Sequence, residues 1–165
     1  MPREVVFDTN VLVAAFRSKR GRHMNLVRSI GVAGWRLNIS VALALEYEGV
    51  LKRDGMLQEL TEAEIDNFLD YLFKTSHLVP FVHRMRPCLP DPDDERILEV
   101  AVRCGAMIVT HNTRDFVGAK PLGVTVRTPA EILEDDQRRV MSVSISVPDE
   151  LYQKAVAIAR AQDSS

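Results

Sequence analysis

The sequence predicts an α/β protein whose strands form a parallel sheet covered by helices. Two observations carry this. Short apolar runs such as Val5-Val6-Phe7 and Met107-Ile108-Val109 have no polar alternation, as expected of strands buried on both faces. These runs alternate along the chain with stretches of helical periodicity, the pattern of a parallel sheet with helices on both sides. A length of 165 residues is enough for a sizeable core.

In chain order, the first strand spans Glu4 to Asp8, and Thr9 and Asn10 open a helix through Phe16 with hydroxyl or amide capping. Leu26, Val27 and Ile30 mark a second helix over residues 23–33, and Trp35 to Ile39 is the second strand. Ser40 caps a helix to Arg53 that Asp54-Gly55 ends. Thr61 and Glu64 make a capping box for a helix through Thr75, followed by a third strand from His77 to Val82. The proline-rich stretch from Arg84 to Pro92 is a loop. Asp93 or Asp94 caps the next helix, which runs to Cys104 and is closed by Gly105. Ala106 to Thr110 is the fourth strand, Val124 to Arg127 the fifth, and Pro129 begins a short helix to Glu134.

Composition then changes. Residues 1–135 form the main domain, 136–141 a charged linker or solvated helix end, and 142–165 a strand–helix appendix. In the appendix Val143, Ile145 and Val147 alternate with serines as a half-buried strand would, and Pro148-Asp149-Glu150 favours a helix start before an amphipathic run to Gln162.

Bulk properties narrow the function classes. No apolar run approaches the roughly 18 residues of a membrane span, and the N-terminus enters a strand directly rather than a signal peptide. Cys88 and Cys104 make neither a disulfide framework nor a zinc spacing, so two free thiols in a reducing cytoplasm are expected. The four histidines have no metal-binding spacing. A net charge of −2 excludes general affinity for nucleic acid, leaving a local basic patch at Arg17, Lys19, Arg20 and Arg22 as a phosphate clamp or a solvated loop.

Four acids oppose their surroundings. Asp8 ends one apolar run and Asp115 lies just past another, while Glu46 and Asp94 fall on the apolar faces of their helices. Glu46 shares its face with Ala42, Leu43 and Val50, whereas Glu48 lies four before Lys52, the spacing of a surface pair. Asp94 shares a face with Ile97, Leu98 and Ala101, so Asp93 is the better cap. Each acid also has a plain structural role open to it: turn residue, surface acid or helix cap. Converging carboxylates repel by roughly 4 kcal/mol per pair about 4 Å apart at an effective dielectric near 20. A cleft of such acids therefore needs protons or cations; a hard divalent cation, Mg²⁺ or Mn²⁺, fits its oxygen ligands, and metal-assisted hydrolysis of a nucleic-acid backbone is the expected chemistry. Thr110 and Asn112 are placed to hydrogen-bond an acid or a water, or to pack their loop.

The chain resembles the PIN-domain nucleases, in particular VapC-like toxin components of bacterial toxin–antitoxin pairs. The segments that carry the likeness are Val6-Phe7-Asp8-Thr9-Asn10-Val11-Leu12, Leu45-Glu46-Tyr47-Glu48-Gly49-Val50-Leu51, Asp91-Pro92-Asp93-Asp94 leading into Ile97 to Ala101, and Ile108 to Phe116. The resemblance implies a three-layer α/β/α fold with a five-stranded sheet of order 3-2-1-4-5. It implies Mg²⁺- or Mn²⁺-dependent cleavage of single-stranded RNA, a protein antitoxin as partner, and a homodimer or higher oligomer. The acidic quartet carries onto Asp8, Glu46, Asp94 and Asp115 as metal ligands, with Thr9, Asn10, Thr110 and Asn112 in support. Asp91 is the reserve for the third acid, and the family's fourth acid sometimes stands where this chain has Asn112.

Residues 142–162 resemble the start of a ribbon-helix-helix repressor without its second helix, which reads either as part of an antitoxin joined to the toxin or as a dimerisation arm. Three rival functions remain. A PIN-fold RNA- or protein-binding module with little activity would share every pattern above. An Asp-x-Asp phosphatase would need an acid where the chain has Asn10. A DNA flap nuclease of the same fold would need an added arch or helical clamp.

Overall fold

The computed structural model of the chain describes residues 1–18, 22–30, 34–80 and 84–146. The chain divides into two compact units, Met1–Ala130 and Glu131–Ser165. The first contains a five-stranded, wholly parallel sheet: β1 (Arg3–Phe7), β2 (Trp35–Ser40), β3 (His77–Val79), β4 (Met107–Val109) and β5 (Val126–Arg127). Their spatial order is β3-β2-β1-β4-β5, with flanking helices, as the PIN resemblance implies.

The register follows the apolar runs. Val5 faces Leu37 of β2 on one side and Met107 of β4 on the other, and Phe7 faces Val109. Val5, Val6 and Phe7 are all buried, as a central strand covered on both faces requires. The helices of this unit are α1 (Thr9–Arg17), α2 (Arg22–Arg28), α3 (Val41–Leu51), α4 (Glu62–Thr75) and α5 (Pro92–Cys104). Ser40 caps α3 by accepting the Leu43 N–H at 3.1 Å, and Thr61 and Glu64 form the reciprocal capping box of α4. Phe16 of α1 meets Phe68 of α4 edge to face, with ring centres 4.3 Å apart. Gly105, at φ 60°, ends α5 in the left-handed conformation that a side chain would resist.

Several local expectations give way. Asp91, not Asp93 or Asp94, caps α5, accepting the Asp93 N–H at 2.9 Å. Pro92 explains the shift: a proline with fixed φ and no N–H suits the first helical position, which moves the cap one residue upstream. Asp8 occupies the N-cap position of α1 without a side-chain capping bond, so Thr9 and Asn10 are free for other partners. The third strand is paired only over His77–Val79, and residues 81–83 lie outside the described residues. Between β4 and β5 a kinked 3₁₀ helix spans Thr113–Leu122, an element not assigned from the sequence.

The last described element, α6, runs Pro129–Ser146 rather than stopping near Glu134. Residues 142–146 are therefore helical, not the expected strand. A lone strand leaves its N–H and C=O groups unpaired, whereas a helix satisfies them internally. The rest of the appendix, 147–165, lies outside the described residues. Among the described residues no helix is long and apolar enough to cross a membrane.

Candidate active site

Strand order reverses about β1: β2 and β3 lie on one side, β4 and β5 on the other. In an open parallel sheet the crevice beyond the carboxyl ends of the strands at such a reversal is where ligands bind. Asp8 is the first residue past β1 and Thr110 the first past β4. The fully buried Thr110 hydroxyl donates to Asp8 Oδ2 at 2.7 Å and accepts the Asn112 N–H at 3.0 Å. Burial pushes the Asp8 carboxyl above its ordinary range. The Thr110 hydroxyl and the Asn10 and Thr9 N–H groups oppose that shift, and the charge of Asp115 adds to it.

Glu46 reaches the same crevice from α3. Its neighbour Tyr47 sets the helix in place: completely buried, the tyrosine donates its O–H to the Phe7 carbonyl at 2.5 Å and ties α3 to the end of β1. The Thr9 hydroxyl donates to Glu46 Oε1 at 3.0 Å, and Arg96 Nη1 stands 3.5 Å from Oε2. Oε2 is buried and has no hydrogen-bond partner. Burial raises the Glu46 carboxyl, Thr9 and Arg96 pull it back, and Asp93 and Asp8 push it further up.

Asp94 projects from the first turn of α5. Burial, then repulsion from Asp8, Asp91, Asp115 and Glu46, pushes its carboxyl up to about 7. Asp8, Glu46 and Asp94 thus lie within one another's fields. Asp115 stands at the edge, exposed in the first turn of the 3₁₀ helix, with its N–H on the Asn112 carbonyl at 3.1 Å. Asn10 Oδ1 accepts the His111 N–H at 3.5 Å, a long bond linking the loops after β1 and β4.

The basic patch is placed only in part. Arg17 is exposed at the end of α1, where Nη2 meets Met56 Sδ at 3.4 Å. Arg22 opens α2, and Lys19 and Arg20 lie outside the described residues. A groove of about 650 Å³ leads from Thr9 and Asn10 past Arg17, with Val13, Val50 and Met56 as its apolar lining.

Sequence reasoning missed two residues. Arg96, two beyond Asp94, is the cation that faces Glu46, and its pairing across 50 residues leaves no local signature. Buried Glu95 accepts the Cys88 and Leu89 N–H groups, each at 2.5 Å, and so fixes the loop leading into α5. Its position directly after Asp93 and Asp94, near a helix start, hid it among candidate caps.

The donor set is all carboxylate oxygen, which suits Mg²⁺ or Mn²⁺ rather than a soft metal. Among the described residues no three acidic, histidine or cysteine side chains approach closely enough to cage an ion by themselves. Mg²⁺ seldom needs that, since it usually takes one or two carboxylates and completes its shell with water. The unsatisfied Oε2 of Glu46 and the raised carboxyl of Asp94 fit such a hydrated ion.

Comparison with known proteins bears on the family and the fold. The family model described as "PIN domain" matches residues 4–114, a stretch that includes Asp8, Glu46 and Asp94 and stops one residue short of Asp115. No curated protein matches the sequence. Among solved structures the chain is similar to VapBC2 from Rickettsia felis bound to a promoter DNA fragment, at 15% identity and TM-score 0.52, over 76% of this chain and 98% of that one. It is similar to VapBC-1 from nontypeable Haemophilus influenzae at 14% identity and TM-score 0.54, over 77% and 98%. DNA-bound VapBC from Salmonella typhimurium matches at 17% identity and TM-score 0.51, over 78% and 99%. At these identities the likeness is one of fold.

Proposed function

The chain belongs to the PIN-domain family, and on that premise we propose that the protein is a Mg²⁺- or Mn²⁺-dependent endoribonuclease. In this reading it hydrolyses phosphodiester bonds of single-stranded RNA and is the toxin of a toxin–antitoxin pair. The observation that carries the reading is Asp94, whose carboxyl is held near 7 in the field of Asp8, Asp91, Asp115 and Glu46. Acids forced together at the switch point of a parallel sheet are costly unless a cation uses them.

Asp8, Glu46 and Asp94 would hold the ion, and Asp115 would contribute from the rim. A divalent cation supplies an activated water and spreads the charge of the reacting phosphodiester. The chain's own groups do the positioning. Thr110 orients Asp8 through Oδ2, and Thr9 orients Glu46 through Oε1. The groove past Arg17 reaches Thr9 and Asn10 and offers a single strand a path toward the crevice.

The structural neighbours are two-component VapBC and FitAB assemblies, which supports a protein antitoxin as partner. A homodimer and a cytoplasmic setting accompany this proposal. The test is incubation of the purified protein with structured and unstructured RNAs, with Mn²⁺ and with chelator. Cleavage of unstructured RNA only in the presence of metal is expected. Metal-independent cleavage would overturn the metal-dependent reading, and RNA binding with no cleavage would replace the nuclease with the binding module.

A further inference from the structure

Arg96 forms an ion pair with an acid of the crevice, and its hold is loose. Its Nη1 is 3.5 Å from Glu46 Oε2 and its Nη2 is 4.0 Å from Asp93 Oδ1, and the residue is 47% exposed. Neither approach makes a hydrogen bond, since Glu46 Oε2 keeps no hydrogen-bond partner despite its burial. A guanidinium that belonged to the framework would form a bidentate pair, as planar Arg–carboxylate geometry permits. Here Arg96 lies on the same helix as Asp94, two residues on, with an exposed side chain.

We propose that Arg96 is an exchangeable counter-cation of the crevice: it offsets the charge of Glu46 while no divalent ion is bound, and turns to a phosphate of the RNA backbone when Glu46 becomes a metal ligand. The inference rests on the nuclease reading. It follows from charge balance and reach. With Glu46 unshared, the guanidinium is attracted inward. Once a divalent ion uses that carboxylate, the inward attraction falls and the same guanidinium is repelled outward. Phosphate then offers it the fork-like pairing that Glu46 does not. Arg96 so makes two opposite contributions: it competes with the ion and it assists the substrate.

Those opposite signs make the test sharp. Mn²⁺ affinity is measured by calorimetric titration of the wild type, Arg96→Gln and Arg96→Lys, with thermal melting to establish that each variant is folded. The salt dependence of kcat/KM is measured on a single-stranded RNA oligomer at saturating Mn²⁺. Loss of an exposed competing charge is expected to tighten Mn²⁺ binding by about twofold to fivefold in Arg96→Gln. Loss of one phosphate contact to a single strand is expected to make the slope of log kcat/KM against log salt shallower by about 0.7. Arg96→Lys, which keeps the charge, is expected to retain the slope. Unchanged or weaker Mn²⁺ binding in Arg96→Gln, or an unchanged slope, would overturn the assignment and make Arg96 a plain surface residue. If the wild type binds Mn²⁺ and cleaves RNA but Arg96→Gln matches it, only Arg96 loses its role. If the wild type does neither, the nuclease reading falls and this inference with it.

Discussion

Thr110 and Asp8 are joined by a 2.7 Å hydrogen bond across 102 residues of chain, and that bond joins the ends of β4 and β1 at the point where the sheet reverses. Thr110→Val keeps the shape of the side chain and removes its hydroxyl. The variant leaves the Asp8 carboxylate less well held and the Asn112 N–H without its acceptor. Loss of about 1–3 kcal/mol in stability is expected from urea unfolding. A fall of about 10- to 100-fold in Mn²⁺-dependent kcat/KM is expected from the loss of an orienting partner behind a ligand.

Asp8→Asn separates chemistry from folding. It keeps the volume and removes a charge that burial and Asp115 already disfavour. Metal-dependent RNA cleavage is expected to vanish, while the melting temperature without metal at pH 8 stays equal to or above that of the wild type. A folded Asp8→Asn protein with undiminished cleavage would exclude Asp8 from the site.

Asp94 sets a pH dependence whose sign is fixed. Its carboxyl is raised from an ordinary value of 3.8 to about 7, so the folded state holds a proton that the unfolded chain releases. The resulting stability is complete below the ordinary value and is lost as pH rises through about 7. Without metal, the wild-type melting temperature is expected to fall from pH 4 to pH 8 more steeply than that of Asp94→Asn. Metal binding needs the carboxylate, so Mn²⁺ affinity is expected to climb through pH 7 with proton release. Titrations in buffers of different ionisation enthalpy measure that release, which Asp94→Asn should diminish.

Tyr47→Phe tests how α3 is anchored. The change deletes only the O–H that reaches the Phe7 carbonyl in a buried setting. A stability loss of about 1–3 kcal/mol is expected by urea unfolding, because the carbonyl keeps its desolvation cost. Since Tyr47 adjoins Glu46, weaker Mn²⁺ binding is expected as well.

Truncation after Arg139 tests the C-terminal segment. If residues 140–165 form an arm between copies, light scattering is expected to report a shift toward monomer. An unchanged mass would remove the arm from the oligomer interface.

Much of this was readable in the residues, because apolar runs and helix punctuation are local. β1 and β2, the capping box of α4 and the Gly105 stop all lie where periodicity and caps put them. Glu48 forms its i,i+4 pair with Lys52 at 3.0 Å, as its spacing predicted. Glu46 was harder to read. Of the residues meant to share its face, Leu43 is buried but Ala42 is exposed, so the glutamate stands at the boundary of the apolar stripe. Polar contacts over long separations left no local trace. The hydroxyl of Thr9 looked like a helix cap and instead reaches Glu46, 37 residues on. The Val/Ser alternation after Met141 pointed to a strand, but alternation specifies a strand only where another strand pairs with it.

The reversal of strand order about β1 also governs when the crevice comes into being. A ribosome that has finished Glu46 has yet to make the partner that steadies Asp8, and α5 with Asp94 is also still to come. Growing chains therefore carry separate acids and no assembled centre. The cut that the completed molecule is proposed to make becomes possible in a single late stage of synthesis, after β4 slides in beside β1 and brings Thr110 with it.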